Sequence, residues 1–345
     1  MTLNNITSEE IKQGFIKVQD AICNFLIQET DQKYLQDTWD YHKGTGGGIT
    51  RVWEGENDED YYLNVNNNNN NNTTTRPHIL EKGGVNFSYI QGSNLPSAAV
   101  TQFKIAPDSS FIATGVSLVI HPYSPLIPTI HMNVRYFEAG DVYWFGGGVD
   151  LTPVYPQFDQ VVQFHKTLKN ICDKYGNESL KLTYDLGKKE CDQYFYLSHR
   201  KETRGVGGLF FDHLKSQNPE DKAKIWEFVY QLGMGFIDLY RPFICRQNQS
   251  FSYSKAQREF QLYRRSRYVE FNLLFDRGTK FGIVSEGRTE SILMSLPAVA
   301  KWKYNYSPPP NTAESKLTDL YLLQGIDWVN LTNETQLIGI AGKQD

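Results

Sequence analysis

The chain opens with a helical pattern and then changes to strand-like patterns. Thr7 followed by Glu10 matches a capping box, and apolar residues then recur at the three- and four-residue spacing of one helix face. This pattern predicts an amphipathic helix within the first thirty residues. Farther along, segments rich in β-branched and aromatic residues predict strands at residues 85–90, 101–105, 115–120 and 129–137.

The second half of the chain alternates between helix and strand patterns. Apolar residues at helical spacing run up to Gly176 and predict a helix that ends there, and a second helix is predicted over about residues 222–239. Alternating and β-branched residues predict strands at residues 268–275 and 281–284. Because strands, helices and strands follow one another without a regular βαβ repeat, we expect an α+β fold with a large, mainly antiparallel sheet flanked by helices.

The composition is typical of a globular protein, and the net charge limits the kinds of partner that the protein can bind. Its 345 residues are 40% hydrophobic and 21% charged, and no linker divides them, so we expect one domain over residues 1–345. An asparagine and threonine run predicts a disordered insertion at residues 64–76. No segment is apolar enough to span a membrane, and the N-terminus resembles no targeting signal, so a cytoplasmic location is expected. The net charge of −4 argues against general nucleic-acid binding.

A ladder of polar residues on one predicted strand is the first candidate site. Within residues 129–137, His131, Asn133 and Arg135 alternate with apolar residues and therefore share one face of the sheet. Together they combine a proton-transfer group, an amide and a guanidinium that can clamp a carboxylate. The same three side chains could simply face water. If the preceding strand pairs with this one, Ser117 and His121 come close to the ladder.

Two glycine-rich segments flank further candidates. Gly146, Gly147 and Gly148 are followed two residues later by Asp150. For this isolated pattern we favour a turn in which the aspartate caps a helix or forms an Asx-turn, and the alternative is a close approach of the backbone to a ligand. The segment is not a nucleotide-binding P-loop, because no Gly-Lys-Ser/Thr follows it. Residues 204–208 form a second glycine-rich segment, which matches a dinucleotide-binding fingerprint only weakly.

Histidines and arginines raise two further possibilities. His121, His131, His165 and His199 could bind a metal ion, although they form none of the short-spaced pairs that are typical of metal sites. The alternative is that each histidine is hydrogen-bonded within the fold. Arginines at positions 264, 265, 267, 277 and 288 could likewise be solvated or could recognise a small molecule that carries several negative charges.

Five segments resemble the signature segments of oxygen-dependent coproporphyrinogen III oxidases. They occur in the family order, and the match around them runs from about residue 83 to residue 328, over two thirds of the chain, so their combination is highly specific. The segments read HPYSPLIPTIHMNVRYFEAG, YWFGGGVDLTPVYP, LSHRKETRGVGGLFFD, RYVEFNLLFDRGTKFG and GRTESILMSLP.

This resemblance implies an enzyme of haem biosynthesis that decarboxylates two propionate groups of coproporphyrinogen III to vinyl groups. The products are protoporphyrinogen IX, carbon dioxide and hydrogen peroxide, and dioxygen is the co-substrate without an organic cofactor. The resemblance also implies a homodimer formed through residues 268–304 and residues 85–94. Some family members are described with a divalent metal at four histidines, which match His121, His131, His165 and His199. We favour the metal-free alternative for this chain.

Residue roles follow from the same resemblance, position by position. The resemblance implies His131 as the proton donor, and Asp150, Arg135 and Asp276 as further catalytic candidates. The implied substrate-binding residues are Ser117, Asn133, Val134, Arg135, Gly287 and Arg288. The chemistry agrees, because a reduced tetrapyrrole with four carboxylates needs arginines at the rim of its pocket and an acid near its pyrrole N–H groups.

The chain departs from the family pattern in two places, and two other functions stay open. Tyr123 and Ser124 replace a basic residue and an asparagine, which could affect substrate contacts, and His213 replaces an aspartate. A histidine-metal oxygenase would be inactivated by chelators. A tetrapyrrole carrier would bind the substrate and release it unchanged.

Overall fold

A seven-stranded antiparallel sheet forms the centre of the protein, as a computed structural model of the chain shows. The structure describes residues 6–55, 73–74, 78–93, 106, 109–245, 252–284 and 286–342. The α+β prediction is confirmed. In spatial order the sheet strands are β1 (Leu35–Asp40), β2 (Thr45–Glu54), β4 (Leu80–Gly92), β5 (Phe111–Pro122), β6 (Thr129–Ala139), β7 (Val142–Thr152) and β10 (Gly208–Leu214).

Two short pairs of strands lie outside this sheet. β3 (Thr73–Thr74) pairs with β11 (Tyr253–Ser254), and β8 (Tyr196–Leu197) pairs with β9 (Glu202–Thr203). Apart from β3, the predicted insertion at residues 64–76 lies outside the described residues. The strand predicted at residues 101–105 also lies outside them.

Helices cover both faces of the sheet. The predicted N-terminal helix is confirmed, with its capping box formed by Thr7 and Glu10, and so is the helix that ends before Gly176. The helices are α1 (Ser8–Thr30), α2 (Phe158–Tyr175), α3 (Tyr184–Tyr194), α4 (Pro219–Met234), α5 (Phe236–Ile244), α6 (Lys255–Leu274), α7 (Arg277–Val284), α8 (Thr289–Leu293), α9 (Ala313–Lys316) and α10 (Gln336–Ala341).

The main hydrophobic core lies between one face of the sheet and helices α1, α2, α4 and α5. Val134 in β6 and Val149 in β7 point into this core and are fully buried. Members of the core extend from Ile11 in α1 to Leu337 in α10, so the two ends of the described chain pack into one interior. Because this face takes the apolar side chains, the alternate residues of the same strands are left to line the other face.

The strands predicted at residues 268–275 and 281–284 are wrong. The first segment belongs to α6, which begins with a capping box formed by Ser254 and Gln257, and the second belongs to α7. Thirteen residues of α6 are buried, among them four arginines, so this helix has no polar stripe from which a helical period could be recognised. Its aromatic and branched residues then match strand propensities by chance.

Two smaller predictions also need correction. The single helix predicted over residues 222–239 is a pair of helices, α4 and α5, which meet at Gly235. The turn favoured for the glycine triplet is wrong, because residues 146–148 lie inside β7 and pair with β6 and β10. No helix among the described residues is long and apolar enough to cross a bilayer. The expected cytoplasmic location stays a prediction.

Candidate active site

The sheet face opposite the main core carries the predicted site residues. We call it the polar face and define it by Ser117, His131, Asn133, Arg135 and Asp150. Pairing of β5 with β6 places Ser117 directly opposite Asn133, and pairing of β6 with β7 places His131 directly opposite Asp150. The predicted pairing of the strand that carries Ser117 with the strand that carries His131 is therefore confirmed. The ladder residues on β6 are half-buried, so they do not form a fully solvated surface.

His131 and Asp150 form a hydrogen-bonded pair at the centre of the polar face. The Nδ1 atom of His131 lies 2.8 Å from Oδ1 of Asp150. An ionised carboxylate can only accept, so Nδ1 carries the proton and donates it in this hydrogen bond. The His131 side chain is 21% exposed, whereas that of Asp150 is 1% exposed. The aspartate therefore fixes the orientation of an imidazole whose Nε2 can exchange a proton with a ligand.

A buried arginine that sequence reasoning did not select holds Asp150. Nη2 of Arg204 lies 2.7 Å from Oδ1 of Asp150, and Nε lies 3.1 Å from Oδ2. Burial alone would raise the pKa of Asp150, but the positive charge of Arg204 and the hydrogen bond from His131 more than offset it and lower that pKa. Asp150 is therefore ionised at neutral pH, and both of its oxygens are occupied by protein donors.

Aromatic rings enclose the guanidinium of Arg204. Its central carbon lies 4.1 Å from the ring centre of Phe195, 4.5 Å from that of Tyr268 and 4.8 Å from that of Phe271. Nη1 donates to Oδ1 of Asn272 at 3.0 Å. Three of these partners belong to α6, so the helix that was predicted to be a strand forms the wall behind the catalytic candidates.

Two hydrogen bonds to the backbone oxygen of Val206 hold the segment that carries Arg204 in place. The backbone oxygen of Val206 accepts from Nε2 of His165 and from Nε1 of Trp328, each at 3.1 Å. Since Nε2 of His165 must donate to this carbonyl, Nδ1 accepts from the hydroxyl of Tyr184 at 2.9 Å. His165 thus supports the backbone next to Arg204 instead of facing the polar face.

Arg135 lies beside the central pair, with part of its guanidinium accessible. Nη1 donates to Oδ1 of Asn133 and Nη2 donates to Oδ1 of Asp212, both at 2.8 Å. The ring centre of Trp144 lies 5.7 Å from the guanidinium carbon. The Arg135 side chain is 32% exposed. This arrangement suits an arginine that binds a carboxylate arriving from solvent.

Asp276 is placed between α6 and α7 and is also ionised. Burial would raise its pKa, but hydrogen bonds from Thr279 and Tyr194 lower it, as does the nearby His131. The hydroxyl of Tyr194 donates to Oδ1 at 2.7 Å, and the backbone N–H and hydroxyl of Thr279 each donate to Oδ2 at 2.7 Å. A carboxylate held ionised by three donors is poorly suited to donate a proton itself.

Of the other predicted binding residues, some lie on the polar face and others do not. Ser117 and Asn133 meet on the polar face, but the side chain of Val134 points into the opposite core, so it cannot contact a ligand on this face. Gly287 lies in the turn after α7, where its N–H donates to the oxygen of Gly282 at 2.8 Å.

Arg288, just before α8, lies at the β1 edge of the sheet and far from Arg135. Its Nη2 donates to Oδ2 of Asp37 on the edge strand β1. Asp37 pairs with Thr50, and that row continues through the neighbouring strands to Asn133. Four strand spacings of about 4.8 Å separate the two ends, or about 19 Å. The polar face therefore carries an arginine toward each end.

The four histidines of the alternative metal site do not meet. His121 is fully buried, with Nε2 donating to the oxygen of Ser295 at 2.9 Å, and His199 lies 2.8 Å from Oε2 of Glu270. His165 and His131 have the separate partners described above. Throughout the described parts of the chain, no group of three or more His, Cys, Asp or Glu side chains is arranged to hold a metal ion. The residues present do not fit a four-histidine centre.

The two departures from the family pattern lie in different surroundings. Tyr123 and Ser124 are buried in the connection between β5 and β6, where the oxygen of Tyr123 accepts from Arg258 at 3.4 Å. His213 lies at the site itself, with its ring centre 4.8 Å from that of Trp144. Burial and the neighbouring cations lower its pKa despite the adjacent Asp212, so the ring is neutral at pH 7.

An aromatic cluster at one end of the polar face, with Phe111 and Phe137 buried and Trp144 half-buried, was not predicted. The rings of Phe137 and Trp144 stack with their centres 5.4 Å apart, and Phe111 stacks on Phe137 at 6.3 Å. Only Phe137 lies within a strand that the sequence predicted, and a strand period shows which residues share a face but not which of them a ligand can reach.

Charged, proton-transferring and aromatic groups thus share one face of an antiparallel sheet, under the cover of α6. A histidine–carboxylate pair beside a partly exposed arginine defines an enzyme that transfers a proton next to a bound anion.

Comparison with known proteins gives the family. The profile described as Coproporphyrinogen III oxidase matches residues 10–328. An oxygen-dependent coproporphyrinogen-III oxidase of Dictyostelium discoideum is 68% identical over 332 residues, which cover 96% of this chain and 97% of the relative. The enzyme of the same name from Prochlorococcus marinus strain NATL2A is 43% identical over 341 residues, covering 92% of this chain and 90% of the relative. The chain belongs to the coproporphyrinogen III oxidase family.

Proposed function

We propose that this protein catalyses the oxygen-dependent oxidative decarboxylation of two propionate groups of coproporphyrinogen III to vinyl groups, giving protoporphyrinogen IX in haem biosynthesis. The observation that carries the proposal is the His131–Asp150 pair beside Arg135 on the polar face. The high identity to named oxygen-dependent coproporphyrinogen-III oxidases supports it over nearly the whole chain.

Arginines at the two ends of the polar face recognise the substrate. Arg135 binds one propionate carboxylate by a planar two-point contact, and Arg288 binds another at the far end of the row. Ser117 and Asn133 provide neutral hydrogen-bonding groups between them. Trp144, the half-buried member of the aromatic cluster, packs against the edge of the tetrapyrrole. Binding at several points positions one propionate for reaction.

His131 provides the proton that the reaction consumes. In each half-reaction a –CH2–CH2–COO⁻ side chain loses its carboxyl group as carbon dioxide and a hydride equivalent from the carbon next to the pyrrole. Dioxygen accepts those two electrons and takes up two protons, one from the side chain and one from the protein, to give hydrogen peroxide. Nε2 of His131 is the group placed to donate the second proton, because Nδ1 is held by Asp150.

Asp150 acts through His131 and through the field at the cleft. Its two oxygens already accept from Arg204 and His131, so it is not available for a direct bidentate contact with pyrrole N–H groups. Its ionised carboxylate instead accepts from Nδ1 of His131 and so fixes the orientation of the ring. Because the electron-rich macrocycle itself reduces dioxygen, the proposal requires no further cofactor.

We also propose that the protein is a homodimer formed through α6 and α7. Apolar side chains that are 46–83% exposed form what we call the α6–α7 patch, which consists of Leu273, Leu274, Phe281, Ile283 and Val284. A contiguous exposed apolar surface is typical of an interface between subunits. The second predicted region, residues 85–94, lies mostly in β4, which is paired on both sides by β2 and β5 and offers no free edge.

Turnover of anaerobically prepared coproporphyrinogen III on admission of air tests the proposed activity. The expected result is loss of two carbon dioxide molecules per substrate and formation of protoporphyrinogen IX, detected as the fluorescent porphyrin after oxidation. Substrate that binds and is recovered unchanged would instead support a carrier. Activity that is lost on chelation and restored by one metal ion would support the histidine-metal oxygenase.

A further inference from the structure

Both arginines that are proposed to bind propionates are paired with an aspartate of the protein. Arg135 donates to Asp212 in β10, and Arg288 donates to Asp37 in β1. Neither aspartate belongs to the predicted site. A carboxylate that already occupies each substrate arginine must compete with the carboxylate of an incoming ligand, because both use the same donors.

The geometry around Asp212 resembles a carboxylate held between two guanidinium groups. Oδ1 accepts from Nη2 of Arg135 at 2.8 Å and from the backbone N–H of His213 at 3.0 Å. Oδ2 lies 3.8 Å from Nη2 of Arg277 and 3.5 Å from Nδ1 of His213. The carboxylate of Asp212 thus occupies the place that a propionate would take between Arg135 and Arg277.

The local backbone is shaped to bring Asp212 to this place. The pairing of β10 with β7 shifts register between Phe211 and Leu214, and His213 within this bulge has a φ of 54°, in the left-handed region. Bulges of this kind often redirect a side chain near an active site. A Cβ atom on Gly146 would lie 2.8 Å from Oδ1 of Asp212 and 2.9 Å from Nη2 of Arg135, so a larger residue there would require one of these side chains to shift.

The ion pair of Asp212 with Arg135 is more exposed than the ion pair of Asp150 with Arg204. Asp150 and Arg204 are 1% and 2% exposed, so no external anion can replace the aspartate. Asp212 and Arg135 are 18% and 32% exposed, and Arg277 is 64% exposed. Water weakens an ion pair that reaches solvent, so a substrate carboxylate can displace this one.

We propose that Asp212 is an internal competitor that occupies Arg135 and is displaced by a substrate propionate, and that Asp37 does the same at Arg288. This inference rests on the proposed function, since it takes the arginines as the carboxylate-binding groups. It assigns Asp212 a specificity-determining role, because a ligand gains at Arg135 only if its carboxylate binds better than the protein's own.

The proposed chemistry explains why such a competitor is useful. Decarboxylation converts a charged propionate into an uncharged vinyl group, so the arginine that held the propionate loses its partner during each half-reaction. An unpaired guanidinium in a partly desolvated cleft is unfavourable. Return of Asp212 to Arg135 restores the ion pair and favours movement of the reacted ring away from the arginine.

Equilibrium binding of coproporphyrin III, a tetracarboxylate that does not undergo the reaction, tests the inference by fluorescence. We expect Asp212→Asn to bind it about two- to fivefold more tightly than the unchanged protein, because the competing charge is gone. A smaller gain is expected for Asp37→Asn, whose ion pair is more exposed. Asp141→Asn controls for net charge, because Asp141 lies exposed in the turn between β6 and β7.

A double variant separates the inference from the proposed function. Arg135→Gln should weaken binding, and adding Asp212→Asn to it should give a smaller gain than in the unchanged protein, since the remaining contact of Asp212, with Arg277, is long and exposed. Binding by Asp212→Asn that is unchanged or weaker, in a protein whose circular dichroism is normal, would show that Asp212 only orients Arg135 and would overturn the inference. Unchanged binding by Arg135→Gln would overturn the role of Arg135 itself and the inference with it. A gain as large in Asp141→Asn would assign the effect to net charge.

Discussion

Arg204 binds Asp150 at two points beneath the polar face, with Nη2 2.7 Å from Oδ1 and Nε 3.1 Å from Oδ2. Both side chains are at most 2% exposed. Removal of one partner would leave the other charge buried and unpaired, so the pair stabilises the fold. It also holds Asp150 in the position where it accepts from His131.

Asp150→Asn is expected to lower turnover about a hundredfold or more, the scale seen when a preorganised electrostatic group is lost. It should also destabilise the fold by about 3–5 kcal/mol, because Arg204 keeps its charge in a buried site. Steady-state turnover and urea unfolding of the purified variant measure the two effects.

The double variant Asp150→Asn/Arg204→Met distinguishes the two effects. Removal of both charges should restore much of the stability, since an apolar side chain can replace a buried ion pair, while turnover should stay low. Turnover within a few-fold of the unchanged protein, in a folded Asp150→Asn variant, would remove Asp150 from the mechanism.

His131→Gln is expected to lower turnover at least about a hundredfold with little change in stability. General acid catalysis contributes about 10²–10⁴-fold, and the partly exposed ring is not part of the main core. Turnover and thermal melting measure the two quantities. His78→Gln is the matched control, because His78 lies exposed before β4 and should retain normal activity. A folded His131→Gln variant with normal turnover would rule out His131 as the proton donor.

Val284→Glu is expected to convert the proposed dimer into monomers. Val284 is 83% exposed in the α6–α7 patch, and a charge at the centre of an obligate interface, which buries more than about 2,000 Å², would be left desolvated. Sedimentation at low micromolar concentration measures the change. Ile338→Glu, at a residue that is 62% exposed in α10, should stay dimeric. A monomeric unchanged protein would refute the dimer.

The free energy of unfolding is expected to fall as the pH drops below about 6.5. Burial lowers the pKa of His121 from 6.5 to about 3 and that of His165 well below 6.5. Between these values only the unfolded state takes up the proton, so stability is complete above pH 6.5 and decreases by about 1.4 kcal/mol per pH unit for each histidine.

Urea unfolding at several pH values and one protein concentration checks this dependence. His121→Asn should reduce the change in the free energy of unfolding per pH unit by about 1.4 kcal/mol, the contribution of one proton. His78→Asn should leave this pH dependence unchanged. An equal slope in all three proteins would show that His121 does not titrate as a buried neutral group.

Local sequence patterns were sufficient to predict the helices and strands that bury one face in the core and leave the other face polar. Helix α1 and strands β5 and β6 each alternate between a buried and a polar side, so the sequence predicted their type and the shared face of His131, Asn133 and Arg135. The antiparallel pairing of adjacent strands then brought Ser117 to Asn133, as consecutive strands commonly do.

The sequence by itself thus determined the fold class, the polar ladder and, through its signature segments, the family. Only the tertiary structure decided that residues 268–274 are helical and that Arg204 is paired with Asp150. The physical reason is the same for both. An arginine can be buried only where a carboxylate from a distant segment neutralises it, and no local period of hydrophobic residues records that long-range pairing.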